Sequence, residues 1–320
     1  MQFEVKGYIL AGPDPRDRLI SELAKSHLMV RPFLGYIFLC GGPMDATARQ
    51  PISVRDALAR NLYADEKVSN TVKIAEDFQN WNSDGTYLDL LTFETHLAEL
   101  ASVIVVILES EGSLAELGLF SAIDGLKQKL QVFIDERHYE SQSFIRLGPI
   151  KYLEDSLENR AEVEDWLSQI GPCLAYDVEK ASALSSDLCN AVVARLEENR
   201  TAEESFSEER WLHKILLVCD LLNLFGALTV TEISYYLAEL NINFELEALR
   251  QALFIVNLVG LVEIKAKSRQ RYYLATGSRF FIKFKGLGKE FDFDRYKTFI
   301  REYYESSDRK RHLVLRATRS

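Results

Sequence analysis

The sequence predicts an α/β fold, a doubly wound parallel sheet, followed by a C-terminal winged helix-turn-helix unit. Three observations carry this expectation. The strands read as unbroken apolar runs, each is followed by a helical pattern, and the last third of the chain places three helical patterns ahead of two short strands. The chain has 320 residues, 47% of them hydrophobic, enough for two cores. Residues 1–200 are expected to form the α/β domain with a helical extension, and residues 208–320 the winged-helix domain with a basic, aromatic tail.

The first strand is YIFLC, residues 36–40, which ends in Gly41-Gly42-Pro43, and the run from Ser53 to Tyr63 is the helix after it. TVKIA at 71–75 is a second strand, followed by Glu76-Asp77. Residues 88–100 form a helix ahead of the strand at 103–108, a further helix begins near Ser113, and LQVFI at 130–134 closes the alternation. Right-handed crossovers bring the ends of the strands at 36–40 and 103–108 to one rim, where open α/β sheets bind ligands. From Leu153 to Glu198 the pattern reads as helical, with Trp166 and Leu188 on apolar stripes, and residues 198–210 read as a linker or solvated helix. Beyond it lie helices at 211–225, 229–240 and 244–258, a stop at Gly260, and two strands within 262–275 joined by a basic turn.

No apolar run reaches the roughly 18 residues of a membrane span, and the N-terminus lacks a signal-peptide pattern, so a soluble, cytoplasmic protein without a membrane partner is expected. Cys40, Cys173, Cys189 and Cys219 sit in apolar runs without C-x-x-C spacing and read as buried thiols. The five histidines have no metal-ligand spacing, and no metal is expected. The net charge of −10 hides an asymmetry: residues 265–320 hold 16 Lys and Arg against 6 Asp and Glu. The basic end would attract a polyanion and the remainder would repel one.

The segment VIVVILESEGSLAELGLFS, residues 103–121, delivers Glu116 to the strand rim. Two readings of Glu116 stand side by side. In one, Ser113 and Glu116 form a capping box and satisfy each other's backbone N–H groups. In the other, Glu116 is a catalytic carboxylate, kept ionised by the positive end of its helix, with Gly112 allowing a ligand close approach. A lone carboxylate in such a cleft suits cleavage of a ribosyl C–N bond, because it can stabilise or bond to the cationic anomeric carbon. Nicotinamide leaves NAD⁺ as a neutral molecule without a proton donor, whereas other bases need an acid. Asp77 is either that acid, a ribose-hydroxyl ligand or a helix cap. Arg55 reaches either a phosphate or a surface salt bridge, Ser110 and Ser113 either bond ligand hydroxyls or cap, and Cys40, Gly41 and Gly42 shape the cleft. NAD⁺ would be a substrate, and no cofactor is expected.

The segments IFLCGG (37–42), AED (75–77), ASVIVVILESEGSLAELGLFS (101–121) and SFIRLGPIKYL (143–153) resemble the nucleoside deoxyribosyltransferase-like effectors encoded beside retron reverse transcriptases. The resemblance implies a Rossmann- or flavodoxin-like domain with a C-terminal winged helix. ELG at 116–118 matches the position of the catalytic glutamate of nucleoside deoxyribosyltransferases. It further implies an N-glycosidase toxin, held inactive by the retron reverse transcriptase and its multicopy single-stranded DNA with its non-coding RNA, and released in antiphage defence. A homo-oligomer or filament belongs to the same implication. The acidic residues with which the transferases grip a free deoxynucleoside find no one-to-one match around Glu109-Ser110-Glu111, which favours hydrolysis over base transfer. A non-catalytic, nucleotide-sensing regulator that binds nucleic acid and a base-exchange enzyme are the alternatives.

In the C-terminal unit, Arg250 on the helix at 244–258 and Lys265, Lys267, Arg269 and Arg271 in the hairpin suit phosphate contacts. The aromatics between Phe280 and Tyr304 interleave with Lys and Arg, which fits either stacking on single-stranded DNA or an amphipathic helix packed on its own domain.

Overall fold

The computed structural model describes residues 14–78, 81–82, 85–199, 202–288 and 291–317. The described residues divide into two compact units, one of residues 33–199 and one of residues 14–32 with 202–317. The first unit is built on a five-stranded parallel sheet. Its elements are β1 (Tyr36–Cys40), α1 (Val54–Ala64), β2 (Val72–Lys73), α2 (Leu90–Leu100), β3 (Ala101–Ile107), α3 (Glu111–Ala122), β4 (Leu130–Asp135), α4 (Lys151–Leu157) and β5 (Glu162–Glu164). An antiparallel hairpin, β6 (Leu167–Ile170) and β7 (Cys173–Tyr176), and the long helix α5 (Val178–Glu198) follow.

The strands are ordered β2-β1-β3-β4-β5, all parallel, one of the two common doubly wound orders and compatible with a Rossmann-like fold. Every side chain of β1 and β3 is buried, as strands covered on both faces require. Alternation along β1 sends Ile37 and Leu39 into a core with Val54, Leu58 and Val192 from α1 and α5. Phe38 turns the other way and packs edge-on against Phe120 of α3, with ring centroids 6.4 Å apart. Cys40 shares that second face. The strand order reverses direction between β1 and β3, so their C-terminal ends form the switch point.

At that point Glu109, just past β3, accepts hydrogen bonds from three backbone N–H groups: Gly42 at 2.9 Å, Val54 at 2.8 Å and Arg55 at 2.8 Å. The last two belong to the first turn of α1, whose N-cap is Ser53, so a carboxylate occupies the positive end of that helix. The approach is close. A Cβ on Gly42 would lie 2.8 Å from Glu109 Cδ and 2.9 Å from Ser53 Cβ, and one on Gly41 would lie 2.9 Å from Arg55 Cβ.

Several boundaries differ from the sequence expectation. The helix expected near Ser113 begins at Glu111 with Ser110 as N-cap, and its capping box pairs Ser110 with Ser113. Only residues 72–73 of the second expected strand pair with the sheet, and Ala75–Phe78 form a 3₁₀ turn. The stretch from 153 to 198 is helical only at its two ends. Between them run β5 and a hairpin that turns at Gly171, where φ is +58°, and Trp166 is no helix residue: its backbone N–H, like that of Leu167, donates to buried Asp135 at 2.9 Å. Gly171-Pro172 was the turn signal in that stretch. Cys173 lies in this hairpin and is exposed, unlike the other three cysteines.

In the second unit, the helices Trp211–Phe225, Val230–Glu239 and Leu246–Leu258 precede an antiparallel sheet of Ala227–Leu228, Gln270–Ala275 and Val262–Lys267, with 270–275 central. Ser268 and Arg269 turn the hairpin with φ of 51° and 68°. Residues 198–210 are not wholly a linker: Glu204–Ser205 pairs with a strand at His27–Val30, which also pairs with Ile282–Lys285. Asp220, fully buried in the first of the three helices, accepts from the backbone N–H groups of Phe281 (3.0 Å) and Ile282 (2.7 Å) and anchors that third strand. The aromatics of the tail pack largely on one another. Phe280 stacks on Phe293, Phe291 on Tyr296, and Tyr304 is buried and donates to the Phe225 carbonyl.

The crowding at Gly42 has a measurable consequence. Gly42→Ala is expected to lower unfolding stability by about 2 kcal/mol, a typical cost of forcing apart a buried polar network. Gly112→Ala, whose Cβ would come no closer than 3.8 Å to Ser110 Oγ, is expected to be neutral or to gain up to about 1 kcal/mol from helix propensity. Urea unfolding of the two variants distinguishes these outcomes.

Candidate active site

Five residues from five segments meet on the α2/α3 side of the switch point: Cys40 from β1, Arg55 from α1, Glu76 from the 3₁₀ turn, Glu94 from α2 and Glu116 from α3. Arg55 organises them. Its side chain is 5% exposed, donates Nε–H to the Leu39 carbonyl at 3.1 Å and Nη1–H to the Gly42 carbonyl at 3.2 Å, and grips Glu76 with two bonds of 2.7 and 2.6 Å. This is a fork-to-fork pair with its arginine buried, not a surface salt bridge. Glu76 is half exposed, and the pairing with Arg55 holds its carboxyl below the usual range against the opposing effect of burial.

Glu116 sits in the second turn of α3, half-buried, and takes no part in the cap. The Cys40 thiol lies beside its carboxylate. Burial lifts the Glu116 pKa, while the Arg55 charge and the neighbouring thiol pull against that rise. The helix end does not hold it ionised, because the dipole acts mainly within the first turn and α3 begins earlier than the sequence suggested. Glu94, also half-buried, is pushed up to about 7, first by burial and then by the charges of Glu116 and Glu76. Burial drives the Cys40 thiol well up, so it stays protonated. The arrangement therefore pairs one carboxyl that is about half protonated near neutral pH with another close to an arginine.

The other expected site residues take other places. Asp77 is exposed and accepts from the Ile74 backbone N–H at 3.1 Å, a local turn bond. Ser110 Oγ donates to the Gly41 carbonyl at 2.9 Å and accepts from Ser113 N–H at 3.2 Å, and buried Ser113 completes the cap. Gly41 and Gly42 make room for Arg55 and Glu109. Gly112 is exposed, and a Cβ there would meet only Ser110 Oγ, at 3.8 Å. Glu94 was missed because LLTFETHLAEL reads as an ordinary amphipathic helix, and nothing in its spacing marks which glutamate faces the rim. A cavity of about 610 Å³ opens on the other flank of α3, and Glu116 is not among its lining residues.

In the second unit, Arg250 is exposed and pairs with Glu247 at 3.4 Å. Lys265 donates to the Ala317 carbonyl at 3.1 Å and faces Glu263, which ties it to the C-terminal helix. Lys267, Arg269 and Arg271 project, exposed, around the hairpin turn.

Among the described residues no helix is long and apolar enough to cross a membrane. The chain is 34% identical over 119 residues to the Escherichia coli protein named "Retron Ec86 putative ribosyltransferase/DNA-binding protein", covering 37% of this chain and 36% of that protein. It is 30% identical over 123 residues to the Retron Ec73 protein of the same designation, also from Escherichia coli, covering 36% of this chain and 37% of that one. The matched region thus spans little more than a third of either relative's length. The model of the STM3845 retron effector protein family matches residues 51–264, more than half of the chain and inclusive of Arg55, Glu76, Glu94 and Glu116, and the chain belongs to that family of retron effectors.

Proposed function

We propose that this retron effector is an N-glycosidase toxin that hydrolyses the ribosyl C–N bond of NAD⁺ or a nucleotide, with Glu116 as its catalytic carboxylate. The observation that carries the reading is the position of Glu116: free of its helix cap, at the switch point, within the field of Arg55 and beside a second, more basic carboxyl, Glu94. In the reaction, the C–N bond breaks with its electron pair passing to the base nitrogen. The Glu116 carboxylate stabilises or bonds to the anomeric carbon, and water then adds there, its hydroxyl replacing the base, its proton passing to a carboxylate or to solvent, and any bond to Glu116 breaking to restore the carboxylate. Nicotinamide departs from NAD⁺ without help. For a purine nucleotide, Glu94 in its acid form donates the proton to the leaving base. The designation of the two relatives as ribosyltransferases supports the chemistry.

The same relatives carry "DNA-binding" in their names, and the basic hairpin turn with three preceding helices fits a winged-helix module that docks to nucleic acid or to a protein holder. Retron reverse transcriptase and multicopy single-stranded DNA with its non-coding RNA would hold the effector inactive in the cytoplasm until a phage disturbs the complex. Assembly into a homo-oligomer or filament belongs to this proposal.

Glu116→Gln is nearly isosteric and is expected to fold normally while base release from NAD⁺, dATP and deoxynucleosides, followed by chromatography, falls to background. Full activity in this variant rejects the assignment. Wild-type protein that binds a nucleotide saturably without turnover would instead be a nucleotide-sensing regulator, and exchange onto added adenine would mark a deoxyribosyltransferase.

Glu94 makes the pH dependence specific. Cleavage of a purine nucleotide should decline as pH rises through about 7, and Glu94→Gln should remove that alkaline limb and slow the reaction by about 10²-fold, leaving NAD⁺ cleavage largely unchanged. Stability carries the matching sign. The folded value lies above the ordinary 4.5, so the stabilisation is complete below about 4.5 and is lost as pH rises through about 7. The urea midpoint at pH 5 and pH 8 should accordingly differ less in Glu94→Gln than in the wild type.

A further inference from the structure

We infer that the second unit grips the phosphate backbone of nucleic acid with a basic face built by the hairpin and the C-terminal helix Arg309–Arg316, and not with the helix Leu246–Leu258. The inference rests on the reading of this unit as a nucleic-acid module and assigns the surface that makes the contact. The helix Arg309–Arg316 is seated on one face of the sheet. Val314 is buried in a cluster with Ala227, Tyr272 and Leu274. Buried Arg311 lies over the Tyr272 ring, 5.4 Å from its centroid, and donates Nη1–H to the Ala227 carbonyl at 3.0 Å. On the side away from Arg311 and Val314, Arg309 and Arg316 stand within about 20° of one another around the helix axis and about 10 Å apart along it. Lys310 flanks them, and all three are exposed.

The hairpin continues this face. Lys265 is opposite Tyr272 in the register, so both side chains emerge on the side that the helix covers, and Lys265 Nζ donates to the Ala317 carbonyl at 3.1 Å. Lys267 shares that side about 7 Å further along the strand, and Arg269 follows at the turn. The acids of these elements, Glu263 and Asp308, are paired with Lys265 and Arg311. Lys267, Arg269, Arg309, Lys310 and Arg316 are exposed and have no carboxylate partner among the described residues. The helix Leu246–Leu258 offers the opposite charge. Its N-terminal turn, the end with which a helix-turn-helix reads base edges, exposes Glu245, Leu246 and Glu247, and Arg250 is paired with Glu247 at 3.4 Å. Contacts made only to phosphates carry no base readout, so binding is indifferent to sequence and strongly dependent on salt.

Fluorescence anisotropy of the full chain with labelled DNA of about 20 nucleotides, single-stranded and duplex and in two unrelated sequences, tests this across salt from about 50 to about 200 mM. The two sequences should bind alike. The double variant Arg309→Gln/Arg316→Gln should weaken binding about tenfold and reduce the logarithmic salt slope by about 1.5, Lys267→Gln should reduce that slope by about 1, and Arg250→Gln should change neither quantity. Thermal melting of each variant confirms that it folds. Failure of the wild type to bind any of the DNAs overturns the nucleic-acid reading and this inference together. Binding that keeps its affinity and salt slope in a folded Arg309→Gln/Arg316→Gln protein, or that is lost in Arg250→Gln, overturns this inference alone. Displacement of the DNA by polyglutamate as readily as by unlabelled DNA marks an acidic protein as the occupant and also overturns it.

Discussion

The Glu109 carboxylate ties together the parts of the α/β unit on which the site depends. It leaves the end of β3, crosses to the turn after β1, and takes the first N–H groups of α1, so two strand ends and one helix start are fixed by one side chain. Charge-assisted bonds of this kind contribute on the order of 1.5–3 kcal/mol each, set against the cost of removing the carboxylate from water. The cost is visible: burial raises the Glu109 pKa in spite of the three donors. This choice of partner has a consequence for ligands. The N–H groups of Gly42, Val54 and Arg55 are already occupied from within and are not free to hold a phosphate.

Arg55 inherits its role from that arrangement. With its own N–H donating to Glu109, the start of α1 is held so that the guanidinium passes under the glycine turn to the carbonyls of Leu39 and Gly42. A side chain at Gly41 would press on Arg55, and one at Gly42 on Glu109 and Ser53. Glu76 then balances the charge from the opposite side. A buried arginine without such a partner would carry a heavy desolvation penalty, so the pair is best understood as a fixed electrostatic fixture and not as a source of net stability.

How much of this was legible in the sequence depended on whether a signal was local. The alternating strands and helices, the rim they share, and the three helices ahead of the hairpin follow from apolar periodicity, which one segment displays by itself. Glu116 was legible because ESEGSLAELG follows an unbroken strand. Its carboxyl partners were not: Glu76 and Glu94 become site residues only through the packing of α2 and the 3₁₀ turn against β1, a tertiary event without a spacing signature. The hairpin at 167–176 was hidden for another reason, since its short strands carry too few apolar residues to outweigh the helical pattern of α5 that follows. In the tail, alternating aromatics and cations resembled a stacking platform. Phe280, Phe291, Phe293 and Tyr304 are instead committed to one another and to the unit's core, which leaves the exposed cations of the hairpin turn as the stronger electrostatic feature there.

The charge pattern at the switch point also bears on which chemistry it suits. Three carboxyls surround one arginine, and Glu76 alone already neutralises that arginine. Any further ionisation at Glu116 or Glu94 makes the locus negative, which is why each raises the other's or a neighbour's pKa. A site of this sign would oppose a phosphate placed directly against it but would favour positive charge that appears on a sugar carbon as a base departs, because the stabilising field is in place before the bond breaks. Burial and the neighbouring carboxylates push Glu94 up to about 7, so its protonation limits the cost of holding such a field where the carboxyls are half-buried. The same logic requires the phosphates of a nucleotide or dinucleotide substrate to lie away from Glu116 and Glu94, so that only the ribose and its leaving base face the carboxyls.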